Sequence, residues 1–288
     1  MSLSIASLNS GSNGNCYYIG SETDALLIDA GLTAAETLRR MQTLGIDRQR
    51  IRGLFISHEH IDHIRGLEAL SASLDIPVYI NQKTRKAARL KLDSERVQII
   101  SSGGTLQVGS LEVLPFSKKH DASDPLSFLV RHQLITAGVF TDIGRVCDEV
   151  RVRFRECHAA ILESNYDPVM LREGRYPVAL KNRISGGLGH LSNLEALELF
   201  QKQAAPHLSL LLLGHLSAEN NHPALVAQLF APVAGGTTVA IAGRHAATPI
   251  YNVVPGLEPP DPLSGVPKLR TKTKAPSKQL SLFDFPAG

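Results

Sequence analysis

The stretch that decides the fold is Leu54–His63, with the sequence LFISHEHIDH. Its first three residues form a short apolar run, which predicts a buried β-strand. Four potential metal ligands then follow within six residues: His58, His60, Asp62 and His63. His58 and His60 are two positions apart, so on extended chain their side chains point the same way. We therefore predict a metal site at the end of this strand.

The alternative is a solvated polar loop that follows a strand. Residues 61–74, IDHIRGLEALSASL, carry apolar residues at helical spacing, so Asp62 and His63 would open a helix beside the two histidines. Four desolvated titratable groups without a cation between them would repel one another or shift their pKa values. Position 62 is Asp rather than His, which excludes the zincin motif HExxH.

Composition leaves room for one large domain or two small ones. The chain has 288 residues, is 43% hydrophobic and carries a net charge of +3. Its three cysteines form no CxxC pair, which favours buried free thiols in a reducing compartment. The first residues resemble no signal peptide and no apolar run approaches a membrane span. We expect a cytoplasmic protein without a membrane partner.

Strand-like and helix-like segments alternate along most of the chain. We predict strands at 4–8, 16–19, 25–29, 54–56, 77–80, 97–100, 106–108, 111–116, 128–131, 134–137, 158–163, 208–213 and 237–242, and helices at 33–44, 61–74, 83–92, 144–154, 176–184, 191–203 and 223–230. This order predicts an α/β fold in which two mixed sheets lie between helix layers. We place the domain at residues 1–245 and a basic, flexible tail at residues 246–288, rich in Pro, Lys, Ser and Thr.

The motif HxHxDH after an apolar strand resembles that of the metallo-β-lactamase superfamily. The resemblance implies a four-layer αββα sandwich and two divalent metal ions, Zn²⁺ or Mn²⁺. It also implies that a metal-activated hydroxide attacks the substrate. The superfamily's further ligands match His120, Asp142, which follows a strand in FTDIG, and His215 in GHLS. The implied ligand sets are His58, His60 and His120 for one metal, Asp62, His63 and His215 for the other, and Asp142 as the bridge. Asp62 is also expected to be essential for catalysis.

His190 lies in GGLGHLSN, and its tetrapeptide GHLS recurs at His215. In nuclease branches of the superfamily, a histidine at this place donates a proton to the leaving group. The resemblance therefore implies that His190 is a general acid or a phosphate clamp. The alternative is a histidine that supports a metal ligand or caps a helix.

Two further groups are weaker candidates for contacts with phosphate or DNA. The loop at residues 9–15, which includes Ser10, Gly11 and Ser12, could present backbone N–H groups to a phosphate, or it could be an ordinary hairpin turn. The second group is Asn165, Asn220 and Asn221, of which the last two follow His215.

The strings LNSGSNGNCYYI, LLIDAG, SHEHIDHIRGL, KKHDASDP, LESNYDPVML and YPVALKNRISGGLGHLSN occur in this order. Together they resemble the YycJ/WalJ-type subfamily, which implies a 5′-exonuclease on DNA linked to mismatch repair. Asp142 and His190 are 48 residues apart, which is too close for the large cap domain of the RNase J and CPSF branch. Without such a cap, we expect an open substrate groove, which would suit single-stranded or fraying DNA ends.

Residues 279–283 of the tail read QLSLF, in which Gln279, Leu280, Leu282 and Phe283 resemble the pattern that binds the bacterial sliding clamp. Apolar residues at the end of a disordered basic tail favour such a docking motif, although the segment could instead pack on the domain.

Two other functions stay open. GHLS at 189–192 and at 214–217 is also similar to the tRNA 3′-processing branch, which would make the protein an RNA phosphodiesterase. The second alternative is a non-catalytic, metal-binding module that is recruited to the sliding clamp.

Overall fold

Two seven-stranded mixed β-sheets lie face to face, and helices pack on the outer side of each. The structure is a computed structural model and describes residues 2–255. This architecture confirms the predicted αββα sandwich. Helices on both outer faces explain why strands such as LLLLG at Leu210–Gly214 are apolar on both sides.

The strands are β1 (Leu3–Asn9), β2 (Cys16–Gly20), β3 (Ala25–Ile28), β4 (Ile51–Phe55), β5 (Val78–Asn81), β6 (Val97–Ile100), β7 (Leu106–Val108), β8 (Leu111–Ser117), β9 (Leu126–His132), β10 (Ile135–Phe140), β11 (Ala159–Glu163), β12 (Leu210–Gly214), β13 (Thr238–Ile241) and β14 (Tyr251–Val253). The α-helices are α1 (Ala34–Thr43), α2 (Ile61–Ile64), α3 (Leu67–Leu74), α4 (Gln82–Ala88), α5 (Asp148–Arg155), α6 (Pro168–Glu173), α7 (Val178–Ser185), α8 (Asn193–Gln203) and α9 (Pro223–Phe230).

The first sheet has the strand order β14-β1-β2-β3-β4-β5-β6, and the second has the order β13-β12-β11-β10-β9-β8-β7. Strands β3 to β6 are parallel, and so are β10 to β13. The carboxyl ends of parallel strands meet at one edge of a sheet, and the loops that leave that edge are the usual place for a site. This topology therefore brings together the loops after β3, β4, β10, β11 and β12.

Apolar side chains fill three layers. Ile28 and Phe128 belong to the cluster between the two sheets. Phe154 of α5 and Phe200 of α8 belong to the cluster between the second sheet and its helices, and Met41 of α1 belongs to the corresponding cluster on the first sheet. Burial on both faces of both sheets fixes the strand registers, since a slip of one residue would exchange the two faces.

Helix α1 begins as predicted, because Thr33 is its N-cap and the Thr33 side chain accepts a hydrogen bond from the Glu36 backbone N–H. The predicted helix over 61–74 is interrupted between α2 and α3. The Gly66 N–H donates to Ala30 O at 2.8 Å, and the Gly66 backbone lies against Leu32. This close approach of the two chain segments leaves no room for a side chain at position 66.

Two predicted helices are shorter than expected. The helix over 83–92 ends at Ala88, because Arg89 adopts a left-handed conformation with φ 52°. The helix over 144–154 begins at Asp148. Helix α6 and strand β14 have no counterpart in the sequence prediction.

The folded domain extends beyond the predicted boundary at residue 245. Strand β14 pairs with β1, and Thr248 exchanges two hydrogen bonds with the Ser7 backbone. Edge pairing by a short strand that has little periodicity of its own explains why the sequence did not predict it. The rest of the predicted tail, including Gln279, Leu280, Leu282 and Phe283, lies outside the described residues. Within residues 2–255, no helix is long and apolar enough to cross a membrane.

Candidate metal centre

All seven predicted metal ligands meet at the carboxyl edge of the two sheets. His58 and His60 follow β4, and α2 carries Asp62 and His63 in its single turn. The remaining three follow β8, β10 and β12 respectively: His120, Asp142 and His215. Ligand atoms of these side chains fall into overlapping groups in which all atoms lie within 4.8 Å of one another.

The first group consists of three histidines. His60 Nδ1 lies 3.0 Å from His58 Nε2 and 3.3 Å from His120 Nε2. Ligands bound to a tetrahedral zinc ion at about 2.0–2.1 Å are roughly 3.3 Å apart, so this spacing fits three ligands of one ion.

The second group combines Asp62, His63 and His215, with Asp142 between the two groups. His63 Nε2 lies 3.6 Å from Asp62 Oδ2 and 3.2 Å from Asp142 Oδ2. His215 Nε2 lies 3.6 Å from Asp62 Oδ2 and 3.5 Å from Asp142 Oδ1. Asp142 Oδ1 also lies 3.9 Å from His120 Nε2 of the first group. Asp142 thus faces both groups.

The far sides of the histidine rings are held by hydrogen bonds that fix which nitrogen faces the centre. His63 Nδ1 lies 2.7 Å from Asp29 Oδ2, and His120 Nδ1 lies 2.9 Å from Gly189 O. His58 Nδ1 lies 2.9 Å from Ser57 Oγ, and the Ser57 hydroxyl in turn bonds to Asp29 at 2.8 Å. Such outer hydrogen bonds are typical of histidines that bind metals.

The histidines and carboxylates of the second group shift one another's pKa values strongly. Burial would lower the pKa of His63, but Asp142, Asp29 and Asp62 raise it to about 10. Burial would raise the pKa of Asp142, but His215 and His63 hold it well below its usual range. In the metal-free centre, protonated histidines therefore supply the positive charge that the carboxylates require.

The first group behaves differently. Burial, followed by repulsion from His63, holds the pKa of His58 well below its ordinary value, and burial lowers the pKa of His120 to about 4. These two rings are therefore neutral at neutral pH. A neutral imidazole is the form that binds a metal.

The donor set fits divalent cations. Asp142 Oδ2 and His215 Nε2 are buried and, within residues 2–255, have no hydrogen-bond partner. Both atoms face the centre, where they would be satisfied as ligands. Nitrogen and carboxylate donors in this ratio suit zinc, and the carboxylates also accept manganese.

Three residues at the centre adopt left-handed backbone conformations that are uncommon outside glycine. They are Asp29 with φ 62°, Asp142 with φ 53° and His215 with φ 57°. Each follows a strand directly or closely and turns its side chain into the centre at the point where the chain leaves the sheet. Strain of this kind is concentrated at functional sites, where the surrounding structure holds it.

His190 lies beside the second group. Its Nδ1 lies 2.8 Å from Glu163 Oε1, and the same oxygen lies 2.8 Å from His215 Nδ1. The other oxygen, Glu163 Oε2, accepts the backbone N–H of Ile143 at 2.7 Å and that of Leu191 at 3.1 Å. One buried carboxylate thus links a predicted metal ligand to the predicted general acid.

Sequence reasoning missed Glu163 and Asp29. Both carboxylates are fully buried, and both orient histidine rings through contacts with the Nδ1 atoms. Burial would raise the pKa of Glu163, but His190 and His215 lower it to about 2, so it is ionised. The available signal was position, since Asp29 follows β3 and Glu163 ends β11 at the edge that carries the ligands.

The loop at residues 9–15 is an internal support rather than a phosphate nest at Ser10 and Gly11. The Ser10 hydroxyl is buried, accepts the His215 backbone N–H at 2.7 Å and bonds to the Tyr17 hydroxyl at 2.8 Å. The Gly11 N–H donates to Asn15 Oδ1 at 2.9 Å. Both groups are occupied, which corrects their predicted role. Ser12 is exposed and lines the cavity over the centre.

The three predicted asparagines differ. Asn165 lines the cavity, and its side-chain amide donates to His215 O at 2.7 Å. Asn221 is buried, and its amide donates to the backbone oxygens of Ser164 and Asn165, both at 2.9 Å. Asn220 is also buried, and neither Asn220 nor Asn221 lines the cavity over the centre, so their contact with DNA stays a prediction.

A cavity of about 380 Å³ opens over the centre. Its floor includes Asp62, Asp142, His190 and His215. Part of its wall is α7 and the turn before it, which contribute Tyr176, Leu180, Arg183 and Ile184. The size is in the range of small-molecule sites, and the mixture of an apolar wall with a charged floor suits an amphipathic ligand such as a nucleotide.

The amino-terminal half matches a known domain family. Residues 10–137 match the model of the metallo-beta-lactamase superfamily. The chain is 34% identical over 224 residues to Exodeoxyribonuclease YycJ from Bacillus anthracis, with 77% of this chain and 85% of that protein covered. It is 32% identical over 232 residues to Exodeoxyribonuclease WalJ from Streptococcus pneumoniae, with 77% and 86% covered.

Solved structures agree on the fold. The crystal structure of the metallo-beta-lactamase fold protein YhfI from Bacillus subtilis superposes with a TM-score of 0.67. It shares 16% sequence identity and covers 85% of this chain and 99% of its own, so it supports the fold alone. The fold, the seven converging ligands and the identity to YycJ and WalJ lead to one conclusion. The chain belongs to the metallo-β-lactamase superfamily and, within it, to the YycJ/WalJ family.

Proposed function

We propose that the protein is a metal-dependent exodeoxyribonuclease that hydrolyses phosphodiester bonds at DNA ends. The observation that carries the proposal is the identity to the Bacillus anthracis exodeoxyribonuclease over most of both chains. The geometry of the centre supports it, because metal-assisted hydrolysis of a phosphodiester uses metal ligands and a proton donor on one cavity. Fold alone would leave the substrate open.

We assign His58, His60 and His120 to one divalent ion and Asp62, His63 and His215 to a second, with Asp142 between them. Zn²⁺ and Mn²⁺ are the expected ions. When bound, two divalent ions neutralise phosphate charge and activate water as a nucleophile. The outer hydrogen bonds of Asp29, Ser57 and Glu163 hold the rings in place before any ion arrives.

The proposed general acid is His190. Glu163 accepts the hydrogen bond of Nδ1, which fixes the ring and leaves Nε2 as the nitrogen that can give a proton to the leaving oxygen. A leaving alkoxide of DNA is a poor leaving group as an anion, so this proton matters for the rate. The side-chain amide of Asn165 supports the neighbouring His215, because it donates to the backbone oxygen of His215.

The size of the cavity supports hydrolysis at the ends of DNA strands. Its volume of about 380 Å³ suits one terminal nucleotide rather than a duplex. In this arrangement the scissile phosphate lies on the charged floor, and the base lies toward Tyr176 and Leu180 of the apolar wall. Ser12 and Asn165 remain the candidate polar contacts to the nucleotide.

The cellular role rests on the sequence resemblance. We propose 5′→3′ polarity, a preference for single-stranded or fraying ends, and a part in mismatch repair or replication-linked repair in the cytoplasm. We also propose that Gln279–Phe283 binds the polymerase sliding clamp, which would raise the local concentration of enzyme at replicating DNA. Deletion of residues 279–283 should abolish clamp binding in a pull-down and leave hydrolysis of short oligonucleotides unchanged; retained clamp binding refutes the assignment.

The decisive test of substrate and polarity uses DNA and RNA of one sequence, each labelled at the 5′ or the 3′ end, with added Mn²⁺ or Zn²⁺. We expect stepwise release of nucleotides from the 5′ end of DNA, with RNA left intact. Cleavage of RNA alone would instead indicate a phosphodiesterase of the tRNA 3′-processing type. Hydrolysis of neither substrate by metal-loaded protein would indicate a non-catalytic metal-binding module.

A further inference from the structure

Helix α4 carries a concentration of positive charge on the outside of the first sheet. Residues 76–92 contain five basic residues and no acidic one. Thr84 faces the interior and is fully buried. Arg85 and Lys86 lie on the opposite side of the helix, since they are one and two positions from Thr84 at 100° per residue, and Arg89 is the left-handed residue that ends the helix. Lys86 and Arg89 are exposed.

These three cations have no local function. Among residues 2–255, none of Arg85, Lys86 and Arg89 has a carboxylate within ion-pair distance. Arg39 and Arg131, in contrast, are paired with Glu36 and Glu112 respectively. Unpaired positive charges on one helix face repel one another and are typical of a surface that binds a polyanion.

The basic face begins beside the metal centre. Strand β5 is the parallel neighbour of β4, so α4 starts at the same edge from which His58 and His60 project. Asn81 caps α4 and also donates to Asp124 Oδ2 at 3.0 Å. Asp124 lies in the loop that carries His120, four residues away. One loop therefore joins the basic face to the proposed metal ligands.

Acidic residues between the two regions are neutralised or occupied. Asp124 pairs with Lys83 at 3.5 Å, and Asp121 pairs with Arg183 at 2.6 Å. Glu59 accepts the Ser123 hydroxyl at 2.7 Å. A chain of phosphates that leaves the cavity toward α4 would thus meet two carboxylates paired with cations, and Glu59 bonded to Ser123, before the free cations.

We infer that the α4 basic face, Arg85, Lys86 and Arg89, binds the phosphate backbone of the DNA strand that continues from the cavity. This inference rests on the proposed function and adds the path of the substrate beyond its terminal nucleotide. Residues 85–89 span about 6 Å at 1.5 Å per residue. That length suits contact with one to two phosphates, given about 3.4 Å of rise per nucleotide in one strand of a duplex. The contact is made to phosphates, so it carries no base specificity.

The test compares two double variants that remove equal charge. Lys86→Gln with Arg89→Gln removes two of the three charges of the α4 basic face, and Arg151→Gln with Lys202→Gln removes two exposed cations from α5 and α8 of the other sheet. Binding of a fluorescent 30-nucleotide single strand is measured by anisotropy at several salt concentrations. Hydrolysis of the 30-mer and of a dinucleotide is measured in parallel.

We expect the α4 variant to bind the 30-mer about tenfold more weakly at low salt, with a log–log salt slope shallower by about one to two, which corresponds to one to two lost phosphate contacts. Its dinucleotide hydrolysis should equal that of wild type, and the α5/α8 variant should bind like wild type. Unchanged 30-mer affinity in the α4 variant, or an equal loss in the control, overturns the inference. So does weakened binding to anionic vesicles with unchanged DNA binding, which would indicate a membrane-facing surface. Failure of wild-type protein to hydrolyse either substrate rejects the proposed function instead, because binding is read separately.

Discussion

The Oε1 atom of Glu163 lies 2.8 Å from Nδ1 of His190, a contact that the sequence did not predict. The same carboxylate holds the ring of His215. We therefore predict that Glu163→Gln lowers both kcat and the affinity for metal, each by roughly 10- to 100-fold, as for other residues that orient metal ligands. Initial rates with metal in excess separate the two effects.

A matched control is Glu195→Gln, since Glu195 belongs to the capping box at the start of α8 and bonds to Ser192. Because Gln can also close a capping box, this change should cost only about 0.3–1 kcal/mol of unfolding free energy, for the lost charge at the helix N-terminus, and leave kcat unchanged. If Glu163→Gln behaved like Glu195→Gln, Glu163 would be only a structural residue.

His190→Ala tests the general acid. We expect kcat to fall by about 10² to 10⁴-fold, because the leaving oxygen loses its proton donor. Metal content, measured by elemental analysis, should stay at the wild-type level, since His190 lies outside the seven assigned ligands. His132→Ala is the control, because His132 ends β9 and bonds to Ser110 O. Wild-type turnover in His190→Ala would disprove the assignment.

Metal binding should release protons near neutral pH. The pKa of His63 is raised to about 10 and that of His215 is raised well above its ordinary value, so both rings are protonated in metal-free protein at pH 7. Coordination through Nε2 displaces a proton from each, roughly two per chain at full loading. The affinity should therefore increase with pH up to the raised pKa of His63.

Isothermal titration calorimetry in buffers of different ionisation enthalpy measures this release directly. The expected plot of observed enthalpy against buffer enthalpy is a line whose slope gives about two protons. An enthalpy that does not depend on the buffer would show that the two histidines are neutral before metal binds.

Gly31 keeps the first-sheet loops close together. Its N–H donates to Asn15 O at 2.8 Å, and an added Cβ would collide with the backbone of Asp62. Gly31→Ala should cost about 1–3 kcal/mol of unfolding free energy and weaken metal binding, because Asp62 and His63 must shift. Gly236→Ala, where a Cβ meets nothing within 4 Å, is the control for denaturant melts. Equal stability of the two variants would contradict the predicted collision.

The layers of the fold could be predicted because they rest on local patterns, and the family resemblance supplied the seven candidate ligands that the structure brings together. Apolar runs of strand length, and histidines that follow them, can be recognised directly in the amino-acid sequence. The loop prediction was wrong for Ser10 and Gly11, since their partners His215 and Asn15 become neighbours only when the two sheets assemble.

The same reason explains why Glu163 and Asp29 were missed. A carboxylate at the end of a strand has no distinctive pattern in the sequence. The roles of Asp29 and Glu163 depend on the rings of His63 and His190, which lie in other segments of the chain. Strand β14 was missed because it pairs at the sheet edge through backbone groups, which any residue supplies. Local patterns thus predict elements and ligands, whereas the supporting carboxylates require the topology.

The central claim is that metal held by this centre drives DNA hydrolysis. The most direct measurement strips the protein with a chelator, restores Zn²⁺ or Mn²⁺ stepwise, and follows nucleotide release from single-stranded DNA against metal bound per chain. We predict no release by stripped protein, recovery that saturates at two ions per chain, and no recovery in Asp142→Asn. Release at the wild-type rate by stripped protein, or by metal-treated Asp142→Asn, would contradict the account.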